Sequence, residues 1–261
     1  MTIRKPIVLS FSGHDPSGGA GIQADIETII SHHCHSCSVI TALTEQDSHN
    51  VKKLLPQNPQ EIVRQAHTLL ADFQVSAFKI GLIGHADTAQ AIRQILLEHP
   101  RIPVVLDPVL AAGGGTPLGD QQLLQAIVEL LLPLTTVLTP NSQEARLLAG
   151  QDDLLACGRS LQAAGAEFVL ITGSHESTAQ VHNQLFAPEN QVQTFNWQRL
   201  PHSYHGSGCT LASAIAALMA QGLDAFTAVS EAQDFTWQAL EAAYQPGSGQ
   251  HNPDRLFWVE A

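Results

Sequence analysis

The sequence predicts a doubly wound α/β domain, a mostly parallel sheet buried between helices. Short apolar runs alternate with helix-period segments along most of the chain. The runs are nearly continuous in apolar residues, as strands covered on both faces require. At 261 residues, 44% hydrophobic and 14% charged, the chain can bury a substantial core and does not have a disordered composition.

Taken in order, strands are expected at Ile7–Phe11, Ser38–Leu43, Ala77–Ile83, Val104–Val109, Thr136–Leu138 and Phe168–Ile171. Each is short, bounded by turn residues and mostly β-branched or apolar. Helices are expected between them at Gly21–His33, Pro59–Phe73, Asp87–His99, Asp120–Leu132, Ser142–Gly150 and Asp153–Gly165. In the second of these, Ile62, Ala66 and Leu69 or Leu70 fall on one stripe. Near Gln180–Trp197 the alternation gives way to two polar-alternating runs around Ala187-Pro-Glu-Asn190, an antiparallel hairpin. Two helices follow, Gly208–Gln221 and Asp224–Tyr244, then a Gly/Ser/Pro loop and a short tail, Leu256–Val259. No repeat or linker divides the chain, so residues 1–261 are expected to form one domain.

The net charge of −12 argues against a nucleic-acid or anionic-membrane surface, where Lys and Arg must neutralise phosphates. A small phosphorylated ligand is compatible, because backbone N–H groups and a metal can hold it. The first residues, Met1-Thr-Ile-Arg-Lys-Pro, run into a strand without the apolar stretch of a signal peptide, and no run approaches a membrane span. With four cysteines the expectation is a cytoplasmic protein with reduced thiols.

The segment Tyr204-His-Gly-Ser-Gly-Cys-Thr-Leu-Ala-Ser-Ala carries the strongest chemical signal. A glycine turn feeding an Ala-rich helix leaves unpaired N–H groups at a positive helix end, an anion site suited to phosphate. The same dipole is expected to lower the Cys209 thiol pKa. The plainer reading is a small-residue turn beside a packed helix. A second cluster, Gly13-His-Asp-Pro-Ser-Gly-Gly-Ala-Gly21, follows the first strand and lacks both the Rossmann and the Walker spacing. It is either a tight turn or the border of a site at the carboxyl end of the sheet.

Asp107 stands at the exit of an apolar strand. Asn141 and Glu144 have the spacing of a helix cap, and that pattern is equally compatible with a Mg²⁺ site. Gln46, just past another strand, has an amide that a heterocycle could meet in bidentate fashion, although a lone Gln there is usually just exposed. His32-His-Cys-His-Ser-Cys37 suggests zinc superficially. No second Cys/His pair follows at finger-like spacing, and Cys37 is expected to turn inward as a small hydrophobe.

In this order the motifs resemble the hydroxymethylpyrimidine/phosphomethylpyrimidine kinases of thiamine biosynthesis, within the ribokinase-like superfamily. Residues Gly13–Asp25, Ser38–Leu43, Lys79-Ile-Gly81, Val105–Val109, Thr139-Pro-Asn141 with Glu144, and His205–Thr210 carry the resemblance. Sugar kinases of that superfamily usually have Asp where Cys209 stands. The resemblance implies a three-layer α/β/α sandwich with a mostly parallel central sheet, ATP and Mg²⁺ as cofactors, and a homodimer. It implies that Gly206, Gly208 and Cys209 line the anion hole, with Cys209 in place of the carboxylate base. Gln46, Val109, Gly19 and Ala20 would meet the pyrimidine. Asn141, Thr172 and Ser207 would meet ATP, and Asp107 and Glu144 the metal.

Three lysines common in the family are replaced here by Gly113, Thr172 (in Thr172-Gly-Ser-His175) and Gln233, removing positive charge from places expected to face phosphates. Lys79 remains without an identifiable partner, and Asp25 without a firm role. A pyridoxal or pyridoxine kinase, or a pyrimidine-binding paralogue without turnover, are the competing expectations.

Overall fold

The structure, a computed structural model, describes residues 5–259. Nine strands form one sheet: β1 (Ile7–His14), β2 (His35–Gln46), β3 (Val51–Pro56), β4 (Ala77–Ile80), β5 (Val104–Leu106), β6 (Val137–Leu138), β7 (Phe168–Ile171), β8 (Gln180–Ala187) and β9 (Gln191–Gln198). Their order is β3-β2-β1-β4-β5-β6-β7-β8-β9. The six strands from β2 to β7 are parallel neighbours, flanked by antiparallel β3 on one edge and the β8–β9 hairpin on the other.

The helices are α1 (Gly21–Ser31), α2 (Pro59–Asp72), α3 (Ala86–Glu98), α4 (Gln121–Ala126), α5 (Ser142–Ala149), α6 (Leu154–Ala163), α7 (Ser207–Ala220) and α8 (Ala225–Glu241). Period-2 alternation along the strands divides them into two layers. Leu9, Phe78, Val104, Leu138 and Val169 point into a core shared with α2, α3, α5 and α6. Their neighbours Val8, Ala77, Val105, Val137 and Leu170 point the other way, onto α1, α7 and α8. Ile62 and Ala66 of α2 are fully buried, as the stripe predicted. Each fully buried aliphatic chain of this kind contributes roughly 1.5–3 kcal/mol, and truncating Ile92 of α3 to Ala would cost about 2–5 kcal/mol. The expected sandwich, parallel sheet and hairpin are all present.

Three expectations are corrected. The region read as one helix, Asp120–Leu132, is α4 followed by a π-helical turn, Ile127–Leu131, and a 3₁₀ turn at Leu132–Leu134. Pro133 has no N–H to continue the ladder and ends the helix there. The strands read as Ala77–Ile83 and Val104–Val109 stop at Ile80 and Leu106. Beyond them, Ile83 joins the main core, and Leu82 and Val109 pack in a smaller cluster instead of pairing. Strand β3 was not expected, because Val51-Lys-Lys-Leu-Leu-Pro56 lacks an apolar face. Exposed lysines and a terminal proline are tolerated on an edge strand. The tail at Leu256–Val259 forms turns.

Candidate active site

Strand order reverses between β1 and β4, where the connections leave in opposite directions and open a crevice at the carboxyl ends. Both glycine loops lie here. Six of the eight α-helices are capped by a side chain, those of Asn58, His85, Asp120, Asn141, Asp153 and Asp224. The two without one are α1, starting after Ala20, and α7, starting after Gly206. Their first-turn N–H groups lack a side-chain cap, and that of Gly21 faces the Cys209 thiol.

The loops touch. Gly206 adopts φ +84, and a Cβ there would stand 1.9 Å from the Gly19 carbonyl oxygen. A Cβ on Gly19 would stand 2.3 Å from His205 Cδ2, so each glycine is required by the close approach of the other loop. Asp15 ties the contact polarly. Its Oδ1 accepts the N–H and hydroxyl of Ser17, and its Oδ2 accepts the Ala20 N–H at 2.8 Å and faces His205 Nε2 at 2.7 Å. Burial opposes the Asp15 charge, but the His205 and Ser17 hydrogen bonds prevail and hold the carboxyl below its usual range. The same His205 Nε2 stands 2.9 Å from the Gln46 amide nitrogen.

Beneath the loops is a buried ion pair. Lys79 Nζ lies 2.7 Å from Asp25 Oδ1, with both side chains fully buried, and the Ser213 hydroxyl donates to the same oxygen at 2.8 Å. This supplies the partner that the sequence left open for Lys79 and the role it left open for Asp25. Burial works against the ammonium, but Asp25, then Cys209 and Asp107, hold its pKa above the ordinary value.

Asp107 follows β5 and faces α7. A Cβ on Gly208 would lie 3.6 and 3.7 Å from its two oxygens. Asp107 Oδ2 is buried without a hydrogen-bond partner. Burial pushes its pKa up to about 6 against the pull of Lys79. Glu144 is pushed up to about 8, by burial first and then by the Asp107 charge. Both Glu144 oxygens accept backbone N–H groups, Oε1 from Leu110 and Oε2 from Asn141, which completes a capping box with the Asn141 side chain.

Cys209 corrects the sequence expectation. Burial, the largest cause, with the nearby carboxylates of Asp107 and Asp25, pushes its thiol up to about 12, although Lys79 and the Gly21 N–H pull the other way. The helix dipole does not prevail, because the thiol lies in a desolvated, net acidic setting.

The remaining expected residues fall in two groups. Gly19, Ala20 and Gln46 border His205. Val109 packs on a small cluster with Ala42, Val51, Leu82 and Leu118 at the same edge. Thr172 pairs by its backbone with Asn141 beside the capping box, whereas Ser207 opens α7. Gln233 does not face an open site: its Oε1 accepts from Asn183 and Trp197, and its Nε2 donates to Val229 O. The core fills that position and gives it no phosphate to meet. Cys37 packs inward with Leu9 and Phe11, as expected.

Sequence reading missed Arg255 entirely. Its buried guanidinium donates to Thr210 Oγ1 (2.9 Å), Glu27 Oε2 (2.9 Å) and Gly19 O (2.5 Å), clamping α7, α1 and the first glycine loop together. Its signal, a lone Arg in a polar tail, is too ordinary to stand out.

The family described as phosphomethylpyrimidine kinase matches residues 15–254, nearly the whole chain and both glycine loops. The chain belongs to this family. A hydroxymethylpyrimidine/phosphomethylpyrimidine kinase from Staphylococcus aureus is 33% identical over 254 residues, covering 95% of this chain and 92% of that protein. The crystal structure of a phosphomethylpyrimidine kinase from Clostridium difficile superposes with a TM-score of 0.79 at 29% identity, over 90% of this chain and all of that one. The ADP complex of Bacillus subtilis pyridoxal kinase superposes with a TM-score of 0.87 at 27% identity, over 98% of this chain and all of that one. The fold of these kinases is the ribokinase-like sandwich described above. Within it, the paired loops and the Asp107 carboxylate occupy the carboxyl edge of the phosphomethylpyrimidine-kinase sheet.

Proposed function

We propose that the chain phosphorylates 4-amino-5-hydroxymethyl-2-methylpyrimidine, its monophosphate, or both, with ATP as donor, in thiamine biosynthesis. The observation that carries this reading is the meeting of two uncapped helix ends at Cys209, with Gln46 beyond His205 on one side and Asp107 on the other. The α1 and α7 N–H groups stabilise charge on the transferring phosphoryl group, which is the main task in a loose, positioning-dominated transfer. Gln46 holds the aminopyrimidine edge, and Gly19, Ala20 and Val109 shape its surroundings.

Asp107, and not Cys209, takes the hydroxyl proton. A thiol pushed up to about 12 is a neutral group at physiological pH, whereas a carboxyl near 6 facing Gly208 is ionised and basic enough to accept a proton. Cys209 contributes its backbone N–H and a compact side chain between the helix ends.

Mg²⁺ would neutralise the phosphates. The residues fit a hydrated ion, because Asp107 Oδ2 is buried without a partner while both Glu144 oxygens already accept N–H groups. Asp107 and Glu144 would hold such an ion through its waters. Asn141 and Thr172, adjacent by their backbone bridge, would border the nucleotide. The reading places the protein in the cytoplasm; no described helix is long and apolar enough to cross a membrane. A homodimer remains part of the proposal, tested by sedimentation or light scattering.

The structural likeness to the Bacillus pyridoxal kinase favours pyridoxal as the second reading. Turnover assays with the aminopyrimidine, its phosphate and pyridoxal, at saturating ATP and Mg²⁺, decide between them. A higher kcat/KM for pyridoxal would reverse the choice, and turnover of none by folded protein would leave a binding paralogue.

A further inference from the structure

We infer that Asp15, His205 and Thr44 lock the Gln46 amide in one orientation, so that the site accepts a 4-aminopyrimidine and rejects the 4-oxo pyrimidine of the same shape. The inference rests on the proposed role of Gln46 and adds what decides its direction.

A glutamine amide is nearly symmetric in shape and reads a heterocycle through one acceptor and one donor placed side by side. Left free to turn, it matches two different partners. An aminopyrimidine offers a donor at its amino group and an acceptor at the adjacent ring nitrogen. The oxo compound offers the reverse, an acceptor oxygen and a ring N–H. Discrimination therefore requires the protein to fix which end of the amide carries oxygen.

The neighbours of Gln46 do this. Asp15 Oδ2 stands 2.7 Å from His205 Nε2, and an ionised carboxylate accepts hydrogen bonds and donates none, so that nitrogen carries the proton. The same Nε2 is 2.9 Å from the end of the Gln46 amide placed as nitrogen, with the oxygen placed toward Thr44; the two ends share one shape, so the hydrogen-bond roles decide between this orientation and its reverse. An amide N–H there would meet an imidazole N–H, donor against donor. With oxygen at that end, the His205 N–H is shared between Asp15 and Gln46 and no conflict arises.

The other end of the amide agrees. It stands 3.0 Å from Thr44 Oγ1, whose single proton can also go to the His14 carbonyl oxygen, likewise at 3.0 Å. With the amide reversed, the hydroxyl proton goes to the His14 carbonyl and Thr44 Oγ1 accepts from the amide NH₂. The His205 end demands this orientation and the Thr44 end accommodates it, and each lateral contact leaves one acceptor site on the oxygen and one N–H pointing forward to the substrate.

The orientation has the sense an aminopyrimidine needs. His205 opens the anion loop, so the oxygen end of Gln46 lies nearer the transferring phosphate. The ring carbon bearing the amino group is next to the one bearing the hydroxymethyl group. With the hydroxymethyl group at the loop, the amino group falls opposite the amide oxygen and the ring nitrogen opposite the amide N–H. An oxo group in the same pose meets oxygen against oxygen. Sites that leave a buried polar pair mismatched discriminate far more strongly than those that differ in size.

The test compares kcat/KM for 4-amino-5-hydroxymethyl-2-methylpyrimidine and its 4-oxo counterpart in the full-length enzyme. The wild type should prefer the amino compound by at least about a hundredfold. Asp15→Asn lets an N–H stand where the carboxylate oxygen did, and Thr44→Val removes the acceptor at the other end. Each should narrow the preference by about tenfold or more, largely by raising turnover of the oxo compound.

Asp15 also holds the Ala20 loop, so Thr44→Val and the wild-type imidazole keep the test open if Asp15→Asn fails to fold. Long-range ¹⁵N–¹H correlations should place a proton on His205 Nε2 in the wild type. A His205 protonated on Nδ1 alone, a wild type that accepts both rings equally, or a preference unchanged in every folded variant would overturn the inference. Gln46→Leu separates this from the underlying reading. If that variant turns over the amino compound as well as the wild type does, Gln46 does not read the ring at all.

Discussion

The two ends of the site are built on opposite principles. Around His205 the polar groups are closely partnered, and Asp15 alone accepts from Ser17, Ala20 and His205. Around Asp107, charges are buried without enough partners: among the described residues Asp107 Oδ2 and Asp25 Oδ2 accept no hydrogen bond, and Lys79 faces three acidic or thiol groups. A satisfied network fixes geometry before the substrate arrives. An unsatisfied one stores an electrostatic demand that a phosphate-bound cation and a proton can meet. The difference teaches that recognition in this protein is pre-formed, and that reactivity is left incomplete until the second substrate binds.

The largest test of that contrast is Lys79→Met. It strands Asp25 and Asp107 in the core, and breaking a buried pair in this way costs about 3–5 kcal/mol, readable by urea denaturation. Adding Asp25→Asn should recover most of the loss; no recovery would mean that the pair is not the cause. Next comes Asp107→Asn, which should lower kcat about 10²–10⁴-fold while leaving the fold intact or more stable, since it removes a buried charge with an unpartnered oxygen. Wild-type kcat in this variant would leave the unsatisfied end without a chemical purpose.

The third prediction concerns pH. Glu144 has a folded-state pKa of about 8 against an ordinary value of 4.5, so the folded protein holds that proton more tightly than the unfolded chain. Its contribution is fully present below about pH 4.5 and is lost as pH rises toward 8. Without Mg²⁺ or nucleotide, the melting temperature should fall across this window, and Glu144→Gln should flatten the decline. The smallest effect is expected for Cys209→Ala: a fold left intact and a kcat loss of about tenfold or less, because the backbone donors stay in place. A loss exceeding that of Asp107→Asn would return the base to the cysteine.

The layers of the sandwich were legible because periodicity records burial directly. The β8–β9 hairpin announced itself through alternation and a turn. Strand β3 was hidden because an edge strand need not look apolar, and the break after α4 because Leu131-Leu-Pro-Leu134 looks like helix until Pro133 is weighed. In the site, motif residues were readable but their couplings were not. Asp25 and Lys79 are 54 positions apart, and Asp15 and His205 are 190 apart; no spacing encodes such pairs. The Cys209 error has the same origin. A helix end is visible in sequence, whereas the carboxylates that outweigh it arrive from β5 and α1.

Arg255 joins parts of the site that lie far apart in the chain. The strands that bear the two glycine loops, and both helices those loops open, precede it in the chain, yet the guanidinium that joins Gly19, Glu27 and Thr210 comes after all of them. The guanidinium is thus a second tie, from a distant stretch of chain, on loops that Asp15 and His205 already join.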